Sequence, residues 1–172
     1  MDTIPEPHRL EPINFGLERP ALEGWLDYYR ATLLVKCAGL SYEQLCERSV
    51  APSTLSLLGI LRHMTKVEQI WFDIRFAGND AARHYILPDD PGSDFSDLDS
   101  ATLEEVYSLY LATCERSRSL CEHSGLDERV ATVEREADVD LRWIFIHMIE
   151  EYARHCGHAD LLRERIDGAT GD

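Results

Sequence analysis

Positive charge is scarce in this chain. Its 172 residues include 17 Lys and Arg against 32 Asp and Glu, a formal net charge of −15, and Lys36 and Lys66 are its only lysines. Such a surface repels phosphate backbones and anionic lipid, which argues against nucleic-acid binding and against polybasic membrane attachment. No apolar run approaches the roughly 18 residues of a membrane span. The start, MDTIPEPHRLEP, has neither the basic nor the apolar region of a signal peptide, so a cytoplasmic protein is expected. The five cysteines (Cys37, Cys46, Cys114, Cys121 and Cys156) are odd in number and contain no C-x-x-C pair. That pattern predicts buried free thiols rather than disulfides or a Cys-rich zinc site. Also missing are a Ser-His-Asp pattern, a Gly-rich phosphate loop, internal repeats, low-complexity tracts and any convincing strand alternation.

What is present is helical periodicity. With 44% hydrophobic residues the length suits one domain over residues 1–172, whose first 19 residues, rich in Pro and Glu, read as an arm on the surface. A first helix runs from near Pro20 to about Ala38, with Leu26, Tyr29, Leu33 and Cys37 on its buried side and Gly39 as its stop. A short helical turn is expected at SYEQL. A second long helix should start with Ser53 or Thr54 as cap and end at Gly78. Leu57, Ile60, Met64, Val67, Trp71 and Ile74 form its seam. The segment GNDAARHYILPDDPGSDFSDLDS is a long acidic connection, of the kind that serves as a lid or binding loop or merely as a solvated crossover. Thr102 with Glu105 fits a capping box for a third helix that ends before Gly125. LDERVATVEREADVD then leads to a last helix from about Leu141 to Ile166, capped by Asp140 and stopped by Gly168. The fold expected is all-α, a four-helix bundle with long connections.

The last helix, RWIFIHMIEEYARHCGHADLLRERI, carries the chemistry. At about 100° per residue, with His147 at zero, Glu151 falls near 40°, His155 near 80° and His158 near 20°. Trp143 and Ile144 before them, and Leu161 and Leu162 after them, straddle the same direction. The polar residues therefore read as a belt inside the core stripe. A buried carboxylate without a partner costs several kcal/mol or takes up a proton. A divalent ion resolves that problem, because imidazole and carboxylate are its natural ligands and residues four apart on a helix converge. The competing reading is a buried hydrogen-bond network. One helix does not comfortably supply three ligands, and His63, on the inward flank of the second long helix, is the candidate for another. His8, His84 and His123 lie in the arm, in a loop and at a helix end, and are set aside. Geometry alone does not exclude His147 or His158 as ligands.

GILRHMTKVEQIWF, followed about ninety residues later by HMIEEYARHCGHADLLRERIDG, resembles the DinB-like four-helix metal proteins. Within them it is most similar to the branch that contains the metal-binding domain of mycothiol-dependent maleylpyruvate isomerase. The resemblance runs from about Gly16 to Gly168. Many DinB-like proteins carry H-x-x-x-H followed by R-G-Q. Aligning that glycine with Gly157 puts Glu151 and His155 at the ligand positions, and the mycothiol branch itself uses E-x-x-x-H. The resemblance thus selects His63, Glu151 and His155 as the metal ligands. It leaves His158 and His147 as acid, base or supporting groups. The isomerase has an additional C-terminal domain and this chain ends at Asp172, so isomerisation of maleylpyruvate is not expected to carry over.

Three protein ligands leave a coordination position open, the mark of a catalytic ion. Two imidazoles and one carboxylate in an apolar core suit zinc, or nickel in a recombinant sample, and the resemblance implies a low-molecular-weight thiol such as mycothiol, an electrophile as the other substrate, and a homodimer. Trp25, Trp71 and Trp143 are candidates for a dimer seam. The function expected is metal-dependent S-transfer of the thiol. Hydrolysis by metal-bound water, or a non-catalytic metal-stabilised dimer that binds a partner, are the alternatives that the residues leave open.

Overall fold

A computed structural model describes residues 1–130 and 139–171 of the chain. Four long helices dominate it. Helix α1 spans Glu18–Cys37 and is followed by a single short helix α2, Tyr42–Cys46, at the expected SYEQL turn. Ser41 and Gln44 close a capping box on α2. Helix α3 spans Leu57–Glu68 and continues as a π-helical stretch, Gln69–Phe76. A short helix α4, Ser93–Ser96, and a 3-10 turn, Leu98–Ser100, lie within the acidic connection. Helix α5 is Leu103–Cys121 and α6 is Leu141–Asp167. Helix α6 packs along α1 and against α3, and α3 packs against α5. The chain is mostly helical and forms an all-α bundle.

The helix ends follow local chemistry. Thr102 and Glu105 form the capping box of α5, Asp140 accepts from the Trp143 amide at the start of α6, and Gly168 ends α6 at φ +82, a conformation that costs glycine nothing. The start of α3 differs from expectation. Ser56, rather than Ser53 or Thr54, is the cap, and its hydroxyl accepts from the Gly59 amide. Ser56 directly precedes the apolar run, so capping there puts Leu57 and Leu58 straight into the core. The seam also shifts at its far end. The wider π turn brings Phe72 into full burial and leaves Ile74 half-buried.

Two further expectations are corrected. The N-terminal arm does not simply lie on the surface: Ile4 is fully buried, and its carbonyl accepts from the Gly39 amide. The connection before α6 contains a two-residue antiparallel ladder, Arg129–Val130 (β1) with Val139–Asp140 (β2). It is too short for its alternation to show in the sequence. Residues 131–138 of that expected connection lie outside the described residues.

A charged pair lies in the core. The guanidinium of Arg30 (α1) donates two hydrogen bonds to the Glu68 carboxylate (α3), at 2.7 and 2.8 Å. The Tyr152 hydroxyl (α6) donates to the same carboxylate at 2.9 Å, and the Tyr110 hydroxyl (α5) to the Arg30 carbonyl at 3.1 Å. Glu68 is 0% exposed. All four long helices are tied through this network, so a buried carboxylate that would otherwise be prohibitive is satisfied.

Candidate metal centre

Helix α6 buries Ile144, Met148, Tyr152, His155, Ala159 and Leu162, a stripe centred about 100° from His147. Of the titratable belt, His155 therefore lies within the core stripe, while His147, Glu151 and His158 are on its flank. His155 is buried, while His147, Glu151 and His158 are half-buried and Leu161 is exposed. That flank faces α3. His63, Glu151 and His155 each offer a donor atom, and these atoms lie within 4.8 Å of one another. His155 Nε2 is 3.7 Å from Glu151 Oε2. The rings of His63 and His155 are 4.8 Å apart. Two donors bound at 2.0–2.2 Å to one tetrahedral ion are about 3.4 Å apart, so small side-chain rotations close this triad on a cation. The three side chains keep 11–20% exposure, which leaves an approach from solvent.

A carboxylate beside the triad fixes the tautomer of His63. His63 Nδ1 lies 2.8 Å from Asp94 Oδ2. An ionised carboxylate only accepts, so Nδ1 carries the proton and Nε2 is left for an ion. On the other helix, His155 Nδ1 faces His158 Nδ1 at 3.5 Å, while its Nε2 faces Glu151. Burial, with the neighbouring His63 and His158 adding to it, pushes the His155 imidazole down to about 4, so it is neutral near pH 7 as a ligand must be. The donor set and the His63 tautomer fit a zinc-like divalent ion.

Asp94 is the residue that the sequence did not single out. It is fully buried, although it comes from the acidic connection, and Lys66 pairs with the same oxygen that takes His63. Burial raises its carboxyl, but the bonds from His63 and Lys66 outweigh that and hold it below the usual range. Its other oxygen, Oδ1, is buried without a protein partner among the described residues. Arg62 clamps the connection by donating to the carbonyls of Asp97 and Ser93 and by covering the Tyr85 ring at 4.3 Å. Phe95 stacks on His63 with ring centres 4.9 Å apart, and it approaches Gly59 where a Cβ would stand 3.0 Å from its ring. The connection is thus pinned over the triad rather than solvated throughout.

His147 sits one turn before Glu151. Its ring stacks on Trp143 at 4.9 Å and meets Trp71 edge-on at 4.5 Å, and its Nε2 is 3.7 Å from Glu151 Oε1. His158 adjoins the triad through His155. His123 is nearly fully exposed beside Glu122. Trp71 is buried against Trp143, His147 and Arg75, so of the three tryptophans it is not available to a partner. The cysteines offer no rival nucleophile. Burial pushes Cys37, Cys114 and Cys156 up to about 12, and Cys156 Sγ points toward the Tyr29 carbonyl. Cys46 and Cys121 are also raised, chiefly by burial. Among the described residues all five are free thiols.

A cavity of about 300 Å³ beside Arg30, Arg118 and Phe145 has no triad residue in its wall. No helix of the described residues is long and apolar enough to cross a membrane. Residues 21–168 match a family model described as MST: Mycothiol-S-transferase. A search of curated proteins finds no match to the chain.

Proposed function

The chain belongs to the mycothiol-S-transferase family, a DinB-like family, and from that membership we propose a divalent-metal-dependent S-transferase acting on mycothiol or a similar low-molecular-weight thiol. The thiol loses its proton to solvent. Its sulfur lone pair forms a bond to an electrophilic carbon, which releases a leaving group with its electron pair or, in an addition, passes that pair to an atom that takes up a proton. The observation that carries the metal part of this reading is the convergence of His63, Glu151 and His155 within 4.8 Å.

His63, Glu151 and His155 would hold a zinc ion, which would supply a Lewis acid that lowers the pKa of a thiol. The chain's own groups do the rest. Asp94 keeps the proton of His63 on Nδ1, so its Nε2 points a lone pair inward, and the Nε2 of His155 faces Glu151. His147, fixed between Trp143 and Trp71, steadies Glu151 from its other side. The buried cysteines, held protonated, do not compete with the external thiol. The cytosol, where small thiols are kept reduced, suits both this reaction and five free cysteines. We also propose a homodimer. Phe15, 90% exposed, together with Leu17 and Trp25, gives it an apolar face. A monomeric mass by light scattering at tens of micromolar contradicts the dimer.

The test is turnover. Zinc-loaded protein with mycothiol and a chromogenic electrophile should release the leaving group in proportion to thiol consumed, and His63→Ala and His155→Ala should lose most metal and turnover while His123→Ala keeps both. Ester cleavage that needs no thiol and rises with an apparent pKa of about 7 would replace the proposal with a hydrolase.

A further inference from the structure

Asp94 and Phe95, adjacent in α4, hold the same imidazole from two sides. Asp94 Oδ2 takes the Nδ1 edge of His63 at 2.8 Å. The Phe95 ring lies on its face, with ring centres 4.9 Å apart and planes 29° from parallel. The ring is set in place before any substrate arrives. The Phe95 amide donates to the Gly92 carbonyl at 2.9 Å, and Arg62 holds the carbonyls of Ser93 and Asp97 on either side. Phe95 Cδ1 would stand 3.0 Å from a Cβ on residue 59, so the glycine there lets the ring lie close on α3.

The Phe95 ring is half-buried, so part of it meets solvent. It stands on the side where the triad opens: His155 keeps 11% exposure, Glu151 19% and His63, on which the ring lies, 20%. Asp94 and Lys66 at one edge of His63, and Glu151 and His155 at the other, are polar. Phe95 adds a flat apolar surface to this polar centre. A sulfur delivered to the triad reacts with a carbon about 3–3.5 Å away, which puts the carbon's substituents within reach of the ring. A planar group on that carbon gains offset or edge contact with it. An electron-poor aromatic gains most, because its quadrupole complements that of a phenyl ring.

We infer that Phe95 is a specificity-determining residue, the wall of an electrophile subsite that favours aromatic electrophiles over small polar ones. The inference rests on the S-transferase reading and names the class of its second substrate.

Binding without turnover is the first test. Meta-dinitrobenzene, which has no leaving group, is titrated into the metal-free full chain and followed by difference absorption. Phe95→Leu keeps an apolar side chain but removes the ring, and should weaken the affinity about three- to tenfold. Phe95→Tyr should restore it. Turnover follows with zinc-loaded protein, mycothiol and either chlorodinitrobenzene or iodoacetamide. With the aryl chloride the sulfur–carbon bond forms, the carbon–chlorine bond breaks, chloride leaves with the bonding pair and the thiol proton goes to solvent. The ratio of kcat/KM for the aryl chloride to that for iodoacetamide should fall by a similar factor in Phe95→Leu and return in Phe95→Tyr. An unchanged ratio overturns the inference and leaves the S-transferase reading standing. So does dinitrobenzene that fails to bind the unsubstituted chain, or that binds all three proteins alike. Absence of thiol-dependent turnover with both electrophiles removes that reading and this inference with it.

Discussion

Asp94 reaches His63 from the middle of an acidic connection and is fully buried there. Replacing it with Asn keeps the shape but removes the charge that fixes the His63 tautomer. Metal affinity should fall about 10- to 100-fold, measured by chelator competition, with the helical circular dichroism unchanged. His155 sets a pH dependence in the metal-free protein. Its folded pKa of about 4 lies below the ordinary value of 6.5, so on acidification the unfolded chain takes up that proton first. The stability from this group is intact above pH 6.5, declines as pH falls toward 4, and is flat below. Thermal melts of apo His155→Gln should lack that part of the slope. Of these residues, the proximity of His63, Glu151 and His155 was anticipated because helical period offered them beside His147 and His158 and the family resemblance selected them. Asp94 was not, since Asp89, Asp90, Asp97 and Asp99 around it carry the same local signal. Only the fold of the connection selects one of them.

At the scale of elements, the acidic connection depends on α3. Arg62 binds the carbonyls of Ser93 and Asp97, while Lys66 and His63 hold Asp94. Arg62→Ala removes charge-assisted bonds worth about 1.5–3 kcal/mol each. Amide exchange across residues 93–97 should then quicken by about tenfold or more, while exchange in α1 and α6 stays slow. Unchanged protection would show that the connection is held by other contacts. Helix ends were readable because caps are local: Thr102 with Glu105, and Asp140 with Gly168, work within a few residues of chain. The π turn from Gln69 was not readable. Its wider winding serves the burial of Phe72 and leaves no mark in the composition of the segment. Helical arithmetic alone places His147, Glu151 and His158 too deep for a similar reason. It orders residues around α6, but the packing of α1 and α3 decides which arc is core.

For the whole molecule, the Arg30–Glu68–Tyr152 network couples the bundle's helices. Glu68→Ala strands a buried guanidinium and should cost about 3–5 kcal/mol by urea denaturation. A loss below about 1 kcal/mol would mean that water reaches Arg30 and that the pair is not structurally required. The bundle as a whole was legible from apolar period and length, whereas this network was not, because Arg30 and Glu68 lie 38 residues apart and each looks like an ordinary surface charge. In the proposed reaction the bundle presents the ion of the His63, Glu151 and His155 site to a thiol sulfur. The most direct measurement is the absorption spectrum of the cobalt(II)-loaded protein as mycothiol is added, recorded with the proton release. The expected result is a sulfur-to-cobalt charge-transfer band that saturates with thiol, with about one proton released per site, and its loss in His155→Ala. A spectrum unchanged by thiol while cobalt remains bound, or a band that persists in His155→Ala, would contradict the proposed role of the ion.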